Sequence, residues 1–366
     1  MGLPNISITF KTTAAAAIAR SEKGVVGLIL RDSTTALQNK GFVIHSASDI
    51  PSTLAADNAA YIKRALIGYI NPPRKAVAYV LAARGESDTT GAGDISDGTG
   101  YFETQGDIDY LCGPADCTSA EAAAIATWVK ARRTNDHSII KAVLPDQAAD
   151  SEGIVNVTVT GAKEGDTSIS TAGLCSRIAG LIAGTPMTIS CTYAPLPELT
   201  EVTRLSAEAA DNAVDAGEFI LIHDGEKIKV ARGVNSLTTT TQEKGAAFKK
   251  IKIVEAVDMI GHDIRLTCED SYIGKYANSY DNKCVLIAAI KGYLEGLELA
   301  GILAAGKSTC EIDLAAQENY LKSKGTDTSA MSAQEIKEAN TDDQVFLACS
   351  VKILDAIEDI SINVTI

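Results

Sequence analysis

Hydrophobic and polar residues alternate strictly near both ends of the chain. Because successive side chains of an extended chain point to opposite faces, each pattern predicts a β-strand with one apolar face. An unpaired strand edge invites pairing with another chain, so these strands either fold back into their own sheet or are meant for neighbouring molecules. The hydrophobic positions of the two patterns are Ile6, Ile8, Phe10, Ile360, Ile362, Val364 and Ile366.

The first half of the chain alternates predicted strands with predicted helices. Such an alternation indicates a mostly parallel sheet covered by helices. The helix that begins near residue 118 opens with TSAE, a capping box. The pattern predicts strands at 24–32, 42–47, 75–82, 107–112, 138–145 and 154–159, a short helix near 12–20, helices at 55–69, 118–133 and 170–184 (the last amphipathic), and a polar, glycine-rich loop at 84–100.

The pattern changes past residue 200. A helix at 205–217 is followed by a hairpin at 219–231, for which Asp224-Gly225 predicts a type I′ turn. A threonine-rich connector at 236–245 then leads to a helical final third. Its elements are a helix at 281–300 with Leu286, Ile290, Tyr293 and Leu297 on one face, shorter helices near 314–323 and 332–339, an apolar segment at 345–353, a charged turn at 355–359 and the terminal strand.

Composition narrows the classes of protein. With 366 residues, 46% hydrophobic and 22% charged, the chain is globular and long enough for two or three domains. Its 33 basic residues against 47 acidic ones give a net charge of −14, which argues against nucleic-acid binding. We expect neither a secretory signal nor membrane insertion, since no basic segment precedes an apolar one at the start and no run of 18 apolar residues occurs.

The eight cysteines are scattered without a C-x-x-C pair. Several lie in apolar runs, such as Cys175 and Cys284, so we expect buried free thiols in a reducing cytoplasm. Cys112 and Cys117 flank a Gly-Pro turn but lack the second ligand pair that a zinc site needs.

One segment matches a phosphate-binding motif. GILAAGKS (301–308) fits G-x-x-x-x-G-K-[ST], which requires a strand before the loop and a helix after it. Here a predicted helix precedes the loop and an extended segment follows. We therefore interpret the match as an exposed turn after a glycine helix cap.

Other candidate chemistry is weaker. Asp94 and Asp97 hint at calcium but lack the remaining ligands of an EF-hand, so a solvated loop is the simpler interpretation. No histidine belongs to a metal-binding or nucleophile motif. A catalytic triad is assembled in space, however, and the sequence leaves that possibility open. We predict no catalytic, metal-binding or cofactor-binding residues, and no cofactor.

Three segments carry a family pattern: PNISITFKTTAAAAIARSEKGVVGLILRD (4–32), YIGKYANSYDNKCVLIAAIKGYLEGLELAGIL (272–303), and the stretch from ENYLKSKG to SINVTI (318–366). Together they resemble the contractile tail sheath family, most of all the sheath proteins of phage tails and of R-type bacteriocins from Gram-positive bacteria. The resemblance covers nearly the whole chain and is weakest at 84–110 and 195–245.

The resemblance implies an α/β fold: a subtilisin-like α/β outer domain plus an α+β C-terminal inner domain, with extended β-strand arms at both termini. The implied divisions are an N-terminal arm (1–20), an N-terminal α/β part (21–90), the subtilisin-like sheath domain (91–250), the inner, tube-facing domain (251–356) and a donor-strand arm (357–366). The family name for the middle domain describes topology and implies no protease activity.

The resemblance also implies a function. Sheath subunits form stacked hexameric rings around an inner tube, and their arms add strands to sheets of neighbouring subunits. Contraction then drives the tube through a target cell envelope. The implied partners are other copies of the chain, the tube protein, the baseplate and the tail terminator, with assembly in the cytoplasm of the producing bacterium.

Three questions stay open at this stage. Lys322 and Lys324 are candidates for pairing with acidic residues of the tube, although a solvated helix end explains them equally well. The alternative to a sheath subunit is a cytosolic α/β enzyme, either a hydrolase suggested by the middle domain or an NTPase suggested by GILAAGKS. The sequence does not separate a phage tail from a headless bacteriocin.

Overall fold

The computed structural model describes residues 17–18, 20, 23–84, 93–106 and 108–365. These residues fold as two compact units, which we call the α/β unit (23–259 and 355–365) and the C-terminal unit (17–18, 20 and 260–354). The predicted N-terminal strand lies outside the described residues, as does most of the short helix predicted near 12–20.

The strands of both units are short except for two. They are β1 Val25–Asp32, β2 Lys40–Ile44, β3 Lys75–Ala82, β4 Tyr110–Cys112, β5 Lys141–Pro145, β6 Ile154–Val157, β7 Ala162–Glu164, β8 Thr167–Ile169, β9 Glu218–Phe219, β10 Leu221–His223, β11 Ile228–Val230, β12 Thr309–Ile312 and β13 Leu347–Ser350.

The helices begin mostly at serine, threonine or aspartate caps. They are α1 Ala56–Ile67, α2 Ile95–Glu103, α3 Ser119–Asn135, α4 Thr171–Ala183, α5 Ala207–Asp215, α6 Ile251–Ser271, α7 Tyr280–Leu299, α8 Leu314–Ser323 and α9 Ala333–Glu338. The capping box predicted for α3 is confirmed, because Thr118 and Glu121 each accept a hydrogen bond from the backbone N–H of the other. Helix α6, which no separate pattern predicted, runs from one unit into the other.

A sheet of seven described strands, in the order β2-β3-β1-β4-β5-β6-β9, forms the centre of the α/β unit. All neighbouring strands are parallel except β2 and β3, so the predicted, mostly parallel sheet is confirmed. Helices α1 and α4 cover one face, with Val26 and Leu28 in the core, and α2 and α3 cover the other, with Val25 and Ile29. All eight residues of β1 are buried, as expected for a central strand covered on both faces.

The helix predicted at 170–184 is present as α4, but it is not amphipathic, because residues 172–183 are all buried. A Cβ atom at Gly180 would lie 1.9 Å from the carbonyl oxygen of Ala65 in α1, so the two helix backbones are in direct contact. Arg177, three residues before Gly180, is buried too: it pairs with Glu198 of the following segment and donates a hydrogen bond to the carbonyl oxygen of Gly68 at 2.8 Å. The prediction failed because this helix lies inside the unit instead of between core and solvent.

The glycine-rich loop predicted at 84–100 is wrong in its final third. Helix α2 begins at Ile95, where the side chain of Asp94 accepts a hydrogen bond from Ser96 N–H at 2.9 Å. Asp97 lies in the first turn of the same helix. Both carboxylates therefore stabilise a helix start, where negative charge is favourable.

The predicted hairpin is confirmed by the pairing of β10 with β11, but its predicted turn is wrong. A type I′ turn needs left-handed backbone at both central residues, and of Asp224 and Gly225 only Gly225 has it, with φ at +107°. The strands pair as far as His223 and Ile228, which leaves a four-residue loop at 224–227. The Asp224 carboxylate accepts two backbone N–H groups of this loop and stabilises it.

The C-terminal unit has the predicted long helix and two shorter ones. In α7, Ile290, Tyr293 and Leu297 are buried as predicted, whereas Leu286 is half-buried. The Tyr293 hydroxyl donates a hydrogen bond to Asp263 at 2.6 Å. Strands β12 and β13 form an antiparallel sheet in this unit. Among the residues that the structure describes, no helix combines the length and apolarity needed to cross a membrane.

Candidate functional site

The last described residues, 360–365, expose their apolar face. Ile360, Ile362 and Val364 are 74%, 76% and 79% exposed, and residues 360–365 belong to no strand of the described sheets. We call 360–366 the terminal segment. When a partner covers a row of exposed aliphatic side chains, the free energy falls, because apolar surface is removed from water. The remaining predicted arm residues lie outside the described part of the chain: Ile6, Ile8, Phe10 and Ile366.

The preceding charged turn, in contrast, is held against the α/β unit. Glu358 accepts hydrogen bonds from the hydroxyls of Ser190 at 3.0 Å and Thr192 at 2.6 Å. Its second carboxylate oxygen lies 3.3 Å from Nε of Arg232. The Glu358 side chain is only 6% exposed, so this carboxylate is enclosed by donors from two loops of the unit.

Lys250 also lies 3.4 Å from Glu358, and two further ion pairs involve the aspartates of the turn. Lys250 pairs with Asp355 at 2.5 Å, and Arg232 pairs with Asp359 at 2.5 Å. The hydrogen bond to Asp359 raises the pKa of Arg232. Burial would raise the pKa of Asp355, but its hydrogen bond with Lys250 lowers it. We call Asp355, Glu358 and Asp359 the acidic anchor, and the exposed terminal segment begins directly after it.

The sheet of β12 and β13 offers free strand edges. Within the described part of the chain, each of the two strands has the other as its sheet partner. β13 is largely exposed, whereas Cys310 and Ile312 of β12 are buried. A strand with an unpaired edge is a template for another strand.

A cleft of about 870 Å³ lies beside β13 in the same unit. Leu347 contributes to it from β13, while Ile264, Leu286 and Ile290 contribute from α6 and α7. At its polar side lies Lys283, which is 3% exposed and whose pKa is lowered by burial. The cleft has room for several apolar side chains next to the strand edge.

The two candidate lysines already have partners in their own unit. Lys322 lies 2.7 Å from Glu318, and Lys324 lies 3.3 Å from Asp342. Both lysine side chains are more than half exposed, at 55% and 56%. Such exposed pairs are readily exchanged for other acidic partners. Their proposed contact with a tube stays a prediction.

The GILAAGKS segment has the predicted turn geometry. Helix α7 ends at Leu299, and Gly301 follows in the left-handed region with φ at +70°. The Glu298 carboxylate accepts the backbone N–H groups of Gly306, Lys307 and Ser308 at 2.7, 3.2 and 2.9 Å.

A hydrogen bond from the Ser308 side chain and these amides lower the pKa of Glu298 to about 2. Strand β12 then follows where a phosphate-binding loop needs a helix. A carboxylate of the chain itself therefore occupies the amides that a phosphate would need.

The edge of the α/β sheet where a ligand is expected holds paired charges. In open α/β sheets, ligands bind at the carboxyl ends of the strands where the strand order reverses, here between β1 and β4. Arg31, at the end of β1, pairs with Asp116 at 2.9 Å and with Glu121. Arg84 pairs with the same two carboxylates, at 3.1 and 2.5 Å. These contacts give no support to the hydrolase alternative, and the described residues contain no cluster suited to a metal ion.

Sequence reasoning missed two features. Cys284 is exposed, and so is Cys349, which contradicts the expectation of buried thiols for these two. Cys349 lies opposite Cys310 across β12 and β13 with 2.9 Å between the sulfur atoms. The acidic anchor was also missed as a contact. Its only signal was the charge of the turn, because its partners lie more than a hundred residues away in the chain.

Comparison with known proteins adds family information to this geometry. Residues 88–236 match the model of the phage tail sheath protein central domain, and residues 243–366 match that of the phage tail sheath C-terminal domain. The tail sheath protein of Clostridium phage phiCD119 is 39% identical over 368 residues, which cover 99% of this chain and 99% of that protein.

Solved structures share the mixed α/β fold. The sheath tail protein from Desulfitobacterium hafniense matches with a TM-score of 0.69 at 18% identity, over 84% of this chain and 94% of that chain. The anti-feeding prophage helical sheath in its contracted state matches with a TM-score of 0.70 at 15% identity, over 100% of this chain and 99% of that chain. The resemblance noted in the sequence is thereby confirmed. The chain belongs to the phage tail sheath family and is a structural tail sheath protein of a phage or contractile injection system.

Proposed function

We propose that this chain polymerises as stacked hexameric rings around an inner tube and contracts to drive the tube through a target cell envelope. The observation that carries the proposal is the exposed terminal segment, whose strand pattern finds no partner strand in its own described sheets. Its partners in this assembly are other copies of the chain, the tube protein, the baseplate and the tail terminator. That a solved sheath of the same fold was captured contracted supports the contraction step.

The terminal segment of one copy serves as a donor strand for another. Backbone hydrogen bonds to the free edge of β13 supply affinity, and the apolar side chains enter the adjacent cleft. The acidic anchor supports this role because it fixes the point at which the segment leaves its own subunit. One heterologous contact of this kind, repeated by every copy, generates a ring or a helical array.

Contraction draws its energy from the array. The donor strands keep subunits connected in both states, so the free energy comes from new contacts between the outer faces of the α/β units, while the C-terminal units face the tube. A gain of about 1–2 kcal/mol per subunit, a typical coupling energy, adds up over many identical copies. The proposed subunit therefore needs no nucleotide or cofactor.

Deletion of residues 360–366 tests the donor strand. It leaves the acidic anchor and the core in place, so we expect a folded monomer with an unchanged melting temperature that forms no rings or tubes under negative stain. The full chain, treated identically, forms them. A truncated chain that unfolds, aggregates or melts earlier shows that the segment belongs to its own subunit's core. A truncated chain that still assembles shows that the sheath is held by other contacts.

A further inference from the structure

Two cysteines of the β12–β13 sheet lie directly opposite each other. Cys310 and Cys349 are a register pair, and their sulfur atoms are 2.9 Å apart. In the same register, Asp313 N–H donates a hydrogen bond to the carbonyl oxygen of Phe346 at 3.0 Å. Hydrogen-bonded and non-hydrogen-bonded pairs alternate along an antiparallel ladder. Asp313 and Phe346 form a hydrogen-bonded pair. Cys310 and Cys349 lie three positions further along the ladder, so they form a non-hydrogen-bonded pair.

This pair type suits a covalent bond. Cα atoms of non-hydrogen-bonded pairs are about 4.5 Å apart, within the range of about 4.4–6.8 Å found for disulfides. The bond therefore requires side-chain rotation and little movement of the backbone. Cys349 is exposed, while Cys310 is 1% exposed and lies behind it. The contact with Cys310 lowers the pKa of Cys349, which increases the reactive thiolate fraction at neutral pH.

We propose that Cys310 and Cys349 form an intrachain disulfide when the unassembled chain meets a small oxidised disulfide, and that this bond ties β13 to β12. The mechanical role rests on the proposed function. β13 then carries the donor strand of another copy on one edge and is joined to β12 by only four residue pairs on the other. The disulfide transfers load from β13 to β12, whose alternate side chains Cys310 and Ile312 are buried in the unit.

The reaction is a thiol–disulfide exchange with a small disulfide such as oxidised glutathione. The Cys349 thiolate attacks one sulfur of the oxidant, forms a mixed disulfide and expels one glutathione thiolate. Cys310 loses its proton to solvent, attacks the Cys349 sulfur and expels the second thiolate. The two cysteines lose two electrons, and the disulfide bond of the oxidant is reduced to two thiols.

Intact-mass and peptide-mapping measurements after incubation with oxidised glutathione test the site on the unassembled chain. We expect a loss of two hydrogen atoms, one peptide that links Cys310 to Cys349, and a melting temperature raised by roughly 5 °C that reductant reverses. Cys349→Ser removes both effects. Cys284→Ser, which removes another exposed thiol, is the matched control and retains them. A persistent mixed disulfide on Cys349, or two freely alkylated thiols after oxidation, overturns the proposal.

A second measurement separates this site from the proposed function. Assembled sheaths of the wild type, oxidised or reduced, are titrated with urea, and oxidised sheaths are expected to dissociate at a higher concentration. If oxidised and reduced sheaths dissociate at the same urea concentration although the disulfide has formed, the mechanical role is refuted. A chain that forms the bond but no sheath contradicts the proposed function and leaves the disulfide site standing, whereas sheaths with both thiols free after oxidation contradict the disulfide site alone.

Discussion

Arg232 holds Glu358 by an ion pair in which Nε lies 3.3 Å from Oε2. The pair holds the charged turn that precedes the terminal segment against the α/β unit. The same guanidinium reaches Asp359, whose side chain is 87% exposed, so one arginine serves an enclosed carboxylate and a solvated one. A donor strand that leaves from a fixed point searches a smaller volume, which lowers the entropic cost of reaching a neighbour.

Glu358→Gln should loosen this anchor without unfolding the protein. The substitution keeps the shape but removes the charge that accepts two hydroxyl hydrogen bonds and faces Arg232, and such enclosed polar contacts are worth about 1–3 kcal/mol. We expect faster hydrogen exchange in residues 355–359 and a higher protein concentration for assembly. Asp359→Asn is the matched control and should change little, because exposed ion pairs contribute little. Equal exchange in both variants would show that the anchor is not held by Glu358.

The strands and helices were predictable where apolar residues follow a regular pattern along the sequence. β1 and β3 were predicted within one residue because their runs of apolar side chains are buried in a parallel sheet. The complete burial of helix α4 was not predicted. It depends on the contact between Gly180 and Ala65, which lie far apart in the sequence, and hydrophobic periodicity carries no information about such a contact. The site was predictable only as the alternation of apolar and polar residues at 360–366. Its anchor depends on contacts such as Ser190 with Glu358, 168 residues apart.

The GILAAGKS turn should tolerate loss of its lysine. Glu298 contacts Lys307 through the backbone N–H, which Lys307→Ala retains, so fold and assembly should be unchanged. Glu298→Gln removes the charge that three amides share and should lower the melting temperature instead. Calorimetric titration with ATP and magnesium should give no heat of binding for the wild type. Measurable nucleotide binding that Lys307→Ala abolishes would contradict the turn interpretation.

Asp258 should make the α/β unit sensitive to acid. It pairs with Arg133 at 2.9 Å and with Lys141 at 3.0 Å. Burial would raise the pKa of Asp258, but the charge of Lys141 and the hydrogen bond from Arg133 lower it. A depressed pKa means that the contribution to stability is fully present above the unfolded pKa of about 4 and is lost as pH falls through the folded pKa.

The substitution Asp258→Asn tests this dependence of stability on pH. At pH 7 the variant should lose about 3 kcal/mol of unfolding free energy, since it leaves two enclosed cations without their shared carboxylate. The difference from the wild type should shrink as pH falls below about 4, because the wild-type group then becomes protonated too. Asp136→Asn, which weakens an exposed pair with Arg132, is the control, and it should cost less than about 1 kcal/mol at any pH. A difference independent of pH would assign the loss to packing.

Charge reversal at the two candidate lysines tests contact with a tube. Lys322→Glu with Lys324→Glu should leave the monomer melt nearly unchanged, because both side chains are more than half exposed. Polymerisation of the variant on tubes should fail if the lysines face acidic tube residues. In the wild type, high salt should weaken polymerisation, because it screens the attraction between lysines and carboxylates. Lys275→Glu with Lys291→Glu gives the same change in net charge at other exposed positions of the unit. Normal sheaths from the first variant remove Lys322 and Lys324 from the interface.

The apolar face of the terminal segment should decide assembly, and its polar face should not. Ile362 and Val364 are 76% and 79% exposed in the subunit, so Ile362→Asp with Val364→Asp should leave the monomer melt unchanged. Each aliphatic side chain that becomes buried in a neighbour is worth about 1.5–3 kcal/mol, so the pair weakens every contact by about 3–6 kcal/mol.

The concentration needed for assembly should therefore rise at least a hundredfold, measured by sedimentation and negative stain. Polar exchanges at Ser361, Asn363 and Thr365 form the matched control, because in a strand these side chains point away from the apolar face. If the apolar and the polar substitutions impair assembly equally, the segment does not bind as a strand.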